Sequence, residues 1–313
     1  MTLAAAVFWA ALLLPVYAYV GYPLLLWTLP PPAAARRRPA RGARPFLSVI
    51  IAAHNEADCI TAKLRSTLAQ DYPPDRLEVV VVSDGSTDGT DARVTACRDG
   101  RVRLVRQEPR AGKSLALNRG VEVARGSVLV FTDANALFAP GALARLAAPF
   151  ADPRVGLVSG QGLYAGAAGG DARAVASGYV RYEQMVKGGE SRHGFLASAD
   201  GAIYALRRSL YRDLEASEVN DLLHPIEAAL SGALSRFAAD ACTVEPPSAS
   251  GGQEFRRHAR IIAQGALLLR RQLPRVLAAR RWRILWQLAS HRLLRWSSAP
   301  CLLTALATNL FLL

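Results

Sequence analysis

The stretch LEVVVVSDGSTDG at residues 77–89 decides the fold. Its first six residues form an apolar run interrupted only by Glu78, and with Ser83 they predict a strand that is covered on both faces. Asp84 follows at the carboxyl end of this strand, and residues 86–90 supply side-chain oxygens that can begin a helix. A buried strand that turns directly into a helix indicates an α/β domain.

The same alternation continues on both sides of this stretch. We expect further strands at residues 47–53, 102–105 and 127–131, and helices at residues 57–69 and 114–124. This order predicts a mostly parallel sheet flanked by helices, whose ligands bind outside the carboxyl ends of the strands. No G-x-G-x-x-G follows a strand and no G-x-x-x-x-G-K-[ST] occurs, so the sequence does not indicate a dinucleotide or Walker-type site.

Polar side chains lie where three of these strands end. The stretches are Ala53-His54-Asn55-Glu56, Asp84-Gly85-Ser86 and Asp133-Ala134-Asn135. One carboxylate can accept hydrogen bonds from ribose or a nucleobase, and another can hold a divalent cation that bridges phosphate oxygens. A single Asp after a strand is ordinary turn chemistry. Three such stretches at one edge of a sheet predict a nucleotide site.

These stretches resemble the motifs of family 2 glycosyltransferases, and the resemblance runs from residue 46 to about residue 261. Residues 48–56 resemble the family's first strand and its Pro-Ala-Tyr-Asn-Glu turn, with Ala52 and His54 at the Pro and aromatic positions. Residues 81–90 closely match its Asp-Gly-Ser segment. The resemblance implies a GT-A-type, Rossmann-like fold in which Asp84 contacts the donor nucleoside.

Further motifs extend the resemblance to the donor and its metal. Residues 112–118 resemble a stretch that lines the donor site, and residues 133–135 stand at the family's Asp-x-Asp metal motif. The resemblance implies Mg²⁺ or Mn²⁺ bound by Asp133 and by the amide carbonyl of Asn135. The donor-binding residues that it implies are Ala53, His54, Asn55, Glu56, Asp84, Lys113, Asn118, Asp133, Arg257 and Arg260. Taken by themselves, Lys113 is better explained as a solvated loop charge and Asn118 as part of a polar helix face.

The second half of the chain resembles the family's acceptor side. Residues 199–208, with Asp200 and Gly201, resemble the acceptor segment, and Val219-Asn220-Asp221 resembles an Asn-Asp motif. By that similarity Asp221 is the general base that takes the proton from an acceptor hydroxyl. The alternative is that Asp221 caps the helix that begins near residue 222.

One more motif bears on the leaving group and on processivity. Residues 254–261 occupy the place of the Gln-x-x-Arg-Trp motif, in which Arg257 and Arg260 keep the spacing and can clamp a diphosphate. Ile261 stands in place of the Trp that supports a growing glycan in processive synthases. The sequence therefore indicates a single transfer rather than extrusion of a polymer.

The basic residues lie near the ends of the chain. Of the formal charge of +13, residues 33–45 contribute +5 and residues 251–313 contribute +10, which leaves −2 for the body. Basic clusters beside apolar segments follow the positive-inside rule and attract anionic headgroups. We therefore expect a membrane partner, no nucleic acid, and a place at the inner or plasma membrane with a cytoplasmic catalytic domain. Four scattered cysteines agree with a reducing compartment.

Four segments follow from these patterns. Residues 1–32 are predicted to be a transmembrane anchor and 33–45 a basic linker. The catalytic domain takes residues 46–262, and residues 263–313 form amphipathic interface helices and the start of a C-terminal membrane segment. A cleavable signal peptide is the alternative for the anchor, although the basic start of such a peptide is missing. A basic helix packed on the domain is the alternative for residues 282–296.

Together these features predict an inverting glycosyltransferase that uses a nucleotide-diphosphate sugar, with a UDP-sugar favoured. The acceptor would be a glycan or a lipid-linked compound in the synthesis of cell-surface polysaccharide or glycolipid. A retaining double displacement would need an additional nucleophile, which no motif supplies. The alternatives are a polyprenyl-phosphate sugar synthase and a catalytically silent membrane scaffold that binds nucleotide sugars.

Overall fold

A computed structural model describes residues 2–36, 44–165, 178–246 and 251–310, without the side chains of residues 251, 253, 254 and 257. These residues form an eight-stranded sheet with helices on both faces and an apolar helix at each end of the described chain. The arginines 37, 38 and 41 of the predicted linker lie outside the described residues.

The sheet combines parallel and antiparallel strands. Its spatial order is β3-β2-β1-β4-β7-β6-β8-β5. The strands are β1 Leu47–Ala53, β2 Leu77–Asp84, β3 Val102–Gln107, β4 Val128–Asp133, β5 Leu137–Phe138, β6 Val155–Tyr164, β7 Tyr204–Arg207 and β8 Leu234–Glu245. β1 to β4 are mutually parallel and β6 runs parallel to β8, whereas β7 and β5 are antiparallel to their neighbours. The predicted α/β class with a mostly parallel sheet is confirmed.

The helices flank the sheet and extend from it. They are α1 Leu3–Val16, α2 Tyr22–Thr28, α3 Ala57–Leu68, α4 Thr90–Thr95, α5 Lys113–Val123, α6 Ala142–Ala147, α7 Gly178–His193, α8 Asn220–Leu230, α9 Gly251–Ala278, α10 Trp282–Leu288, α11 Leu294–Trp296 and α12 Ser298–Leu310. Alternate residues of a strand point to opposite faces. Val49 and Ile51 therefore join one core cluster, while Ile50 joins another on the opposite face.

The N-terminal helix has two unlike halves. α1 and α2 are joined by the π-helical turn Tyr17–Gly21, and the resulting helix Leu3–Thr28 is the one described helix that is long and apolar enough to cross a membrane. The α1 half exposes much of its apolar surface and packs along α12. In contrast, Tyr22 and Leu26 of α2 are fully buried against Val186 of α7. The predicted anchor is therefore also part of the packed domain.

The basic segment near the C-terminus packs against the α/β domain. Ile284 and Leu288 of α10 are buried in the second core cluster, and His291 is buried in the π-helical turn Ala289–Leu293. Trp282 remains 63% exposed. These positions agree with the packed basic helix that the sequence left as an alternative, and the amphipathic interface helices stay a prediction.

Candidate active site

Two adjoining cavities open where the parallel strands end. The smaller cavity is about 390 Å³ and the larger one about 610 Å³, and both are lined by Lys113, Asp133 and Glu245. The smaller cavity is also lined by Ala52, Ala53, His54, Glu56, Asp84, Arg110, Gly112, Ala134 and Asn135. All three predicted strand-end stretches thus contribute to a single cavity, as the topology of a parallel sheet requires.

Asp84 holds together the loop that begins α5. Its buried carboxylate accepts hydrogen bonds from the backbone N–H groups of Ala111 and Gly112, both at 2.8 Å, and from Nε2 of Gln107 at 2.7 Å. Burial alone would raise the pKa of Asp84, but these hydrogen bonds lower it below the usual value. Asp84 lines the smaller cavity, yet most of its hydrogen-bonding capacity serves the loop that positions Lys113.

Two predicted donor-binding residues, Asn55 and Asn118, form hydrogen bonds within the protein. The side-chain oxygen of Asn55 accepts from the N–H of Thr87 at 2.9 Å, and Asn55 itself has a left-handed backbone with φ of 57°. The amide of Asn118 is bonded to the backbone of Leu214 and to the hydroxyl of Tyr211. Neither Asn lines the described part of either cavity. Their predicted contact with the donor stays a prediction.

Lys113 and Asp133 form an ion pair where the two cavities meet. Lys113 Nζ lies 2.5 Å from Asp133 Oδ1. Burial acts against the charged lysine, but Asp133 and the other nearby carboxylates raise the pKa of Lys113 above its ordinary value. The ammonium therefore stays protonated and can bind a phosphate oxygen in competition with Asp133.

The donor set at this junction fits a cation that arrives with phosphate. Among the described residues no three His, Cys, Asp or Glu side chains are grouped closely enough to bind a metal by themselves. Asp133 and Asn135 nevertheless both line the smaller cavity. Mg²⁺ typically takes one or two protein carboxylates and completes its coordination with substrate phosphates and water. The residues present are therefore suited to a divalent cation shared with a diphosphate.

A buried lysine supports this junction from below. Lys63 of α3 donates to Thr132 Oγ1 at 2.7 Å and to the carbonyl of Ala136, so it links both ends of the loop that carries Asp133. Its Nζ also lies 3.8 Å from the ring centroid of Phe138. Burial lowers the pKa of Lys63 to about 7, against the opposing charge of Asp133. The sequence analysis missed this residue, although its spacing from Ile60 places it on the buried face of α3.

Asp221 lies in the larger cavity, in the first turn of α8. Val219 occupies the N-cap position, so the capping alternative for Asp221 does not apply. Burial raises the pKa of this carboxyl, and the charges of Lys113 and Arg292 partly oppose that shift. A Cβ added to Gly201 would lie only 3.0 Å from Asp221 Oδ2, so the glycine leaves room for the carboxylate beside the backbone.

The other predicted acceptor-side residue has partners of its own. The carboxylate of Asp200 accepts from the N–H of Gly162 at 3.0 Å and lies 3.5 Å from Nζ of Lys187. Asp200 lines the larger cavity together with Gly201 and Asp221, so all three predicted residues meet there.

Several residues of the larger cavity come from parts of the chain to which the sequence assigned no site. Glu245 ends β8, Glu183 and Lys187 lie on α7, and Arg292 lies in the π-helical turn near the C-terminus. Arg260, predicted to bind the donor diphosphate, lines this larger cavity and not the smaller one, within the described residues. The side chain of Arg257, its predicted partner, lies outside the described residues.

Comparisons with known proteins agree with this architecture. The family described as glycosyl transferase family 2 matches residues 48–213. Glycosyltransferase AglE of Haloferax volcanii is 37% identical over 93 residues, which are 29% of this chain and 31% of that protein. The succinoglycan biosynthesis protein ExoO of Rhizobium meliloti is 38% identical over 108 residues, 34% of this chain and 30% of that protein. The matches thus span about a third of the length of these curated relatives.

A solved structure matches almost the whole chain. It is the mannosyltransferase PcManGT from Pyrobaculum calidifontis in complex with GDP-Man and Mn²⁺, with a TM-score of 0.72 and 28% identity. The match covers 98% of this chain and 86% of that one. Since the family match covers more than half of the sequence and the fold agrees, the chain is a family 2 glycosyltransferase with a GT-A-type fold.

Proposed function

We propose that this enzyme transfers a sugar from a nucleotide-diphosphate sugar to a hydroxyl group of a glycan or lipid-linked acceptor, with inversion at the anomeric carbon. The position of Asp221 supports the proposal. Its carboxyl lies in the larger cavity, close enough to Lys113 and Asp133 for their charges to act on its pKa. A proton acceptor and the groups suited to a diphosphate therefore face one shared space.

The reaction follows from this arrangement. The nucleoside binds in the smaller cavity, and its diphosphate reaches Lys113 at the junction with the larger one. The acceptor oxygen forms a bond to the anomeric carbon while the bond from that carbon to the diphosphate oxygen breaks, and the hydroxyl proton passes to Asp221. Lys113 stabilises the charge on the departing diphosphate. A Mg²⁺ or Mn²⁺ ion at Asp133 and Asn135 would supply further charge neutralisation when bound.

The raised pKa of Asp221 suits this role. A carboxylate with an ordinary pKa is a weak base near neutral pH, and a base whose pKa lies nearer the working pH accepts a proton more readily in the transition state. Burial raises the pKa of Asp221 in this direction. The partly opposing charge of Lys113 favours the deprotonated form that the reaction needs at its start.

Donor identity and location complete the proposal. We keep UDP-sugars as the prediction from sequence, and GDP-sugars belong in the same screen because the similar mannosyltransferase structure holds GDP-Man. The helix Leu3–Thr28 and the basic segments beside the apolar ones support a place at the inner or plasma membrane, with the catalytic domain in the cytoplasm. Synthesis of cell-surface polysaccharide or glycolipid fits that location.

The experiment that tests the proposal is a donor screen that measures the nucleoside diphosphate released by membranes from producing cells. We expect metal-dependent release with the wild type and its loss in Asp133→Ala and Asp221→Asn. Asp71→Asn is the matched control, since the side chain of Asp71 is 86% exposed and remote from both cavity linings. Full activity in either site variant would remove that residue from its role. Activity on a polyprenyl phosphate that survives Asp221→Asn would favour the polyprenyl-phosphate sugar synthase.

A further inference from the structure

Three buried polar side chains form a line of hydrogen bonds next to Asp221. The amide Nδ2 of Asn220 donates to the hydroxyl of Tyr204 at 2.6 Å, and this hydroxyl lies 2.9 Å from Nδ1 of His224. Tyr204 belongs to β7, whereas Asn220 and His224 lie one turn apart on the same side of α8. The Tyr204 hydroxyl therefore joins the sheet to the helix that carries Asp221.

The protonation of these groups sets the direction of each hydrogen bond. Burial raises the pKa of Tyr204 well above its usual value, so its hydroxyl keeps the proton. Burial also lowers the pKa of His224 to about 3, and the charge of Arg212 acts in the same direction, so the imidazole is neutral. The described structure offers the Tyr204 hydroxyl no acceptor other than Nδ1 of His224. This nitrogen therefore accepts, and the ring proton is carried by Nε2.

The surroundings of His224 would suit an apolar side chain. Its ring is fully buried among the rings of Phe131, Tyr204 and Tyr211, at centroid distances of 5.2 to 5.8 Å. Its Nε2 atom has no hydrogen-bond partner within the described residues, which is unfavourable for a buried polar group. An apolar ring would fill the same space without that cost. The feature that distinguishes the imidazole from such a ring is the acceptor that it offers to Tyr204.

The hydrogen bond to Tyr204 bears on the direction of Asp221. Asn220 and Asp221 both line the larger cavity, in the first turn of α8. The carbonyl of Asp221 accepts from the N–H of Ala199 at 2.7 Å, so its backbone is fixed from one side. Successive residues of a helix point about 100° apart, so holding the Asn220 amide against Tyr204 fixes the rotation of this turn. The direction of the Asp221 side chain is fixed with it.

We propose that Tyr204 and His224 are positioning residues, which hold Asn220 and thereby aim the Asp221 carboxylate at the acceptor hydroxyl. Neither lines the described part of either cavity, so they act through Asp221 rather than on a substrate. Both are neutral, and neutral groups can orient a neighbouring carboxylate without adding a charge that would shift its pKa. This inference rests on the proposed function, in which Asp221 is the base, and adds the residues that orient it.

A double-mutant cycle tests whether Tyr204 acts through Asp221. Steady-state release of nucleoside diphosphate is measured for the wild type, Tyr204→Phe, Asp221→Asn and the double variant. We expect Tyr204→Phe to lower kcat about five- to thirtyfold, with the KM of the donor changed by less than about twofold. In the Asp221→Asn background the same change should lower the remaining kcat by less than about twofold, because no base is left to orient.

Further variants separate orientation from stability. Tyr72→Phe is the matched control, since Tyr72 is a buried tyrosine outside both cavity linings whose hydroxyl donates to the carbonyl of Pro45. This variant should keep the wild-type kcat. His224→Asn keeps an acceptor near the position of Nδ1 and should retain more activity than His224→Leu, which offers none. The two His224 variants also carry the test if Tyr204→Phe does not fold.

Equal fold losses from Tyr204→Phe in the two backgrounds would overturn the positioning role, because the hydroxyl would then act independently of Asp221. Wild-type kcat in Tyr204→Phe, equal activity of His224→Asn and His224→Leu, or a loss in Tyr72→Phe as large as that in Tyr204→Phe would overturn it as well. Each of these results leaves the proposed base in place. Full activity of Asp221→Asn would instead reject the base itself, and with it the residues that orient it.

Discussion

The two cavities of the active site are built in different ways. The smaller one is formed by successive strand ends between residues 52 and 135, with Glu245 from β8, and hydrogen bonds to backbone groups fix its shape, as those of Asp84 and Asn55 show. The larger one gathers charged side chains from segments as distant as Lys113 and Arg292. We infer that the smaller cavity is organised mainly by the backbone and the larger one mainly by the balance of charges.

The largest effect is expected in the larger cavity. Asp221→Asn removes the proposed base while keeping its size and most of its hydrogen bonding, so kcat should fall by about 10²- to 10⁴-fold with little change in the KM of the donor. Steady-state release of nucleoside diphosphate measures both constants. A fall of less than about tenfold would argue against Asp221 as the general base.

In the smaller cavity the corresponding change should act on stability. Asp84→Ala leaves the N–H groups of Ala111 and Gly112 and the amide of Gln107 without their acceptor. Loss of these charge-assisted hydrogen bonds should lower the free energy of unfolding by about 3 kcal/mol. Urea denaturation followed by circular dichroism measures this quantity, with the 80%-exposed Asp75→Ala as control. Unchanged stability would mean that the loop is held by other contacts.

The two cavities also differ in how well the sequence predicts them. The apolar runs of the first half predicted β1 with its observed bounds and β2, β3 and β4 to within two residues, because local sequence alone decides that these strands are buried. The partners of Asp84 lie 23 to 28 residues further along and meet it only in the folded chain. The sequence therefore identifies Asp84 as a candidate site residue, but it does not reveal the hydrogen bonds that Asp84 accepts.

The larger cavity was less accessible to sequence reasoning. Glu245 ends β8, a strand that pairs with β6 about 80 residues earlier in the chain. Local sequence patterns do not predict a pairing over such a separation. Arg292 resembles the other arginines of its basic segment, and only the packing of Ile284 and Leu288 turns it toward the site. The motif resemblance placed Asp200, Gly201 and Asp221 together because it carried information about the family that composition and periodicity lack.

Lys63, which supports the junction of the two cavities, should make the free energy of unfolding depend on pH. Its pKa is lowered from 10.5 to about 7 by burial, although the charges of Asp133, Glu245 and Cys59 oppose the shift. Between these pH values the unfolded chain binds the proton that the folded protein has lost, so the free energy of unfolding should rise with pH.

The change that tests this effect is Lys63→Met. From pH 7.5 to 9 the wild type should gain about 1 to 2 kcal/mol more than Lys63→Met, because one such group contributes at most about 1.4 kcal/mol per pH unit. Urea denaturation at the two pH values measures the difference. The same pH dependence in both proteins would show that Lys63 keeps its charge throughout this range.

The smallest effect is expected at Gly201, whose backbone lies beside the carboxylate of Asp221. An added Cβ would lie 3.0 Å from Asp221 Oδ2, which is closer than ordinary contacts. A shift of the Asp221 carboxylate by a few tenths of an ångström would relieve this contact. Gly201 has no left-handed backbone, so Gly201→Ala adds this contact without added backbone strain. We therefore expect kcat to fall about three- to tenfold with stability nearly unchanged.

Steady-state kinetics of Gly201→Ala beside Gly100→Ala tests this expectation, because a Cβ at Gly100 meets no atom within 4 Å. A loss confined to Gly201→Ala would show that the reaction depends on where the backbone lets Asp221 sit as well as on its charge. Equal kinetics of the two variants would mean that Asp221 adjusts freely. The larger cavity would then depend on the balance of charges alone. The two cavities would differ more in their organisation than the structure by itself indicates.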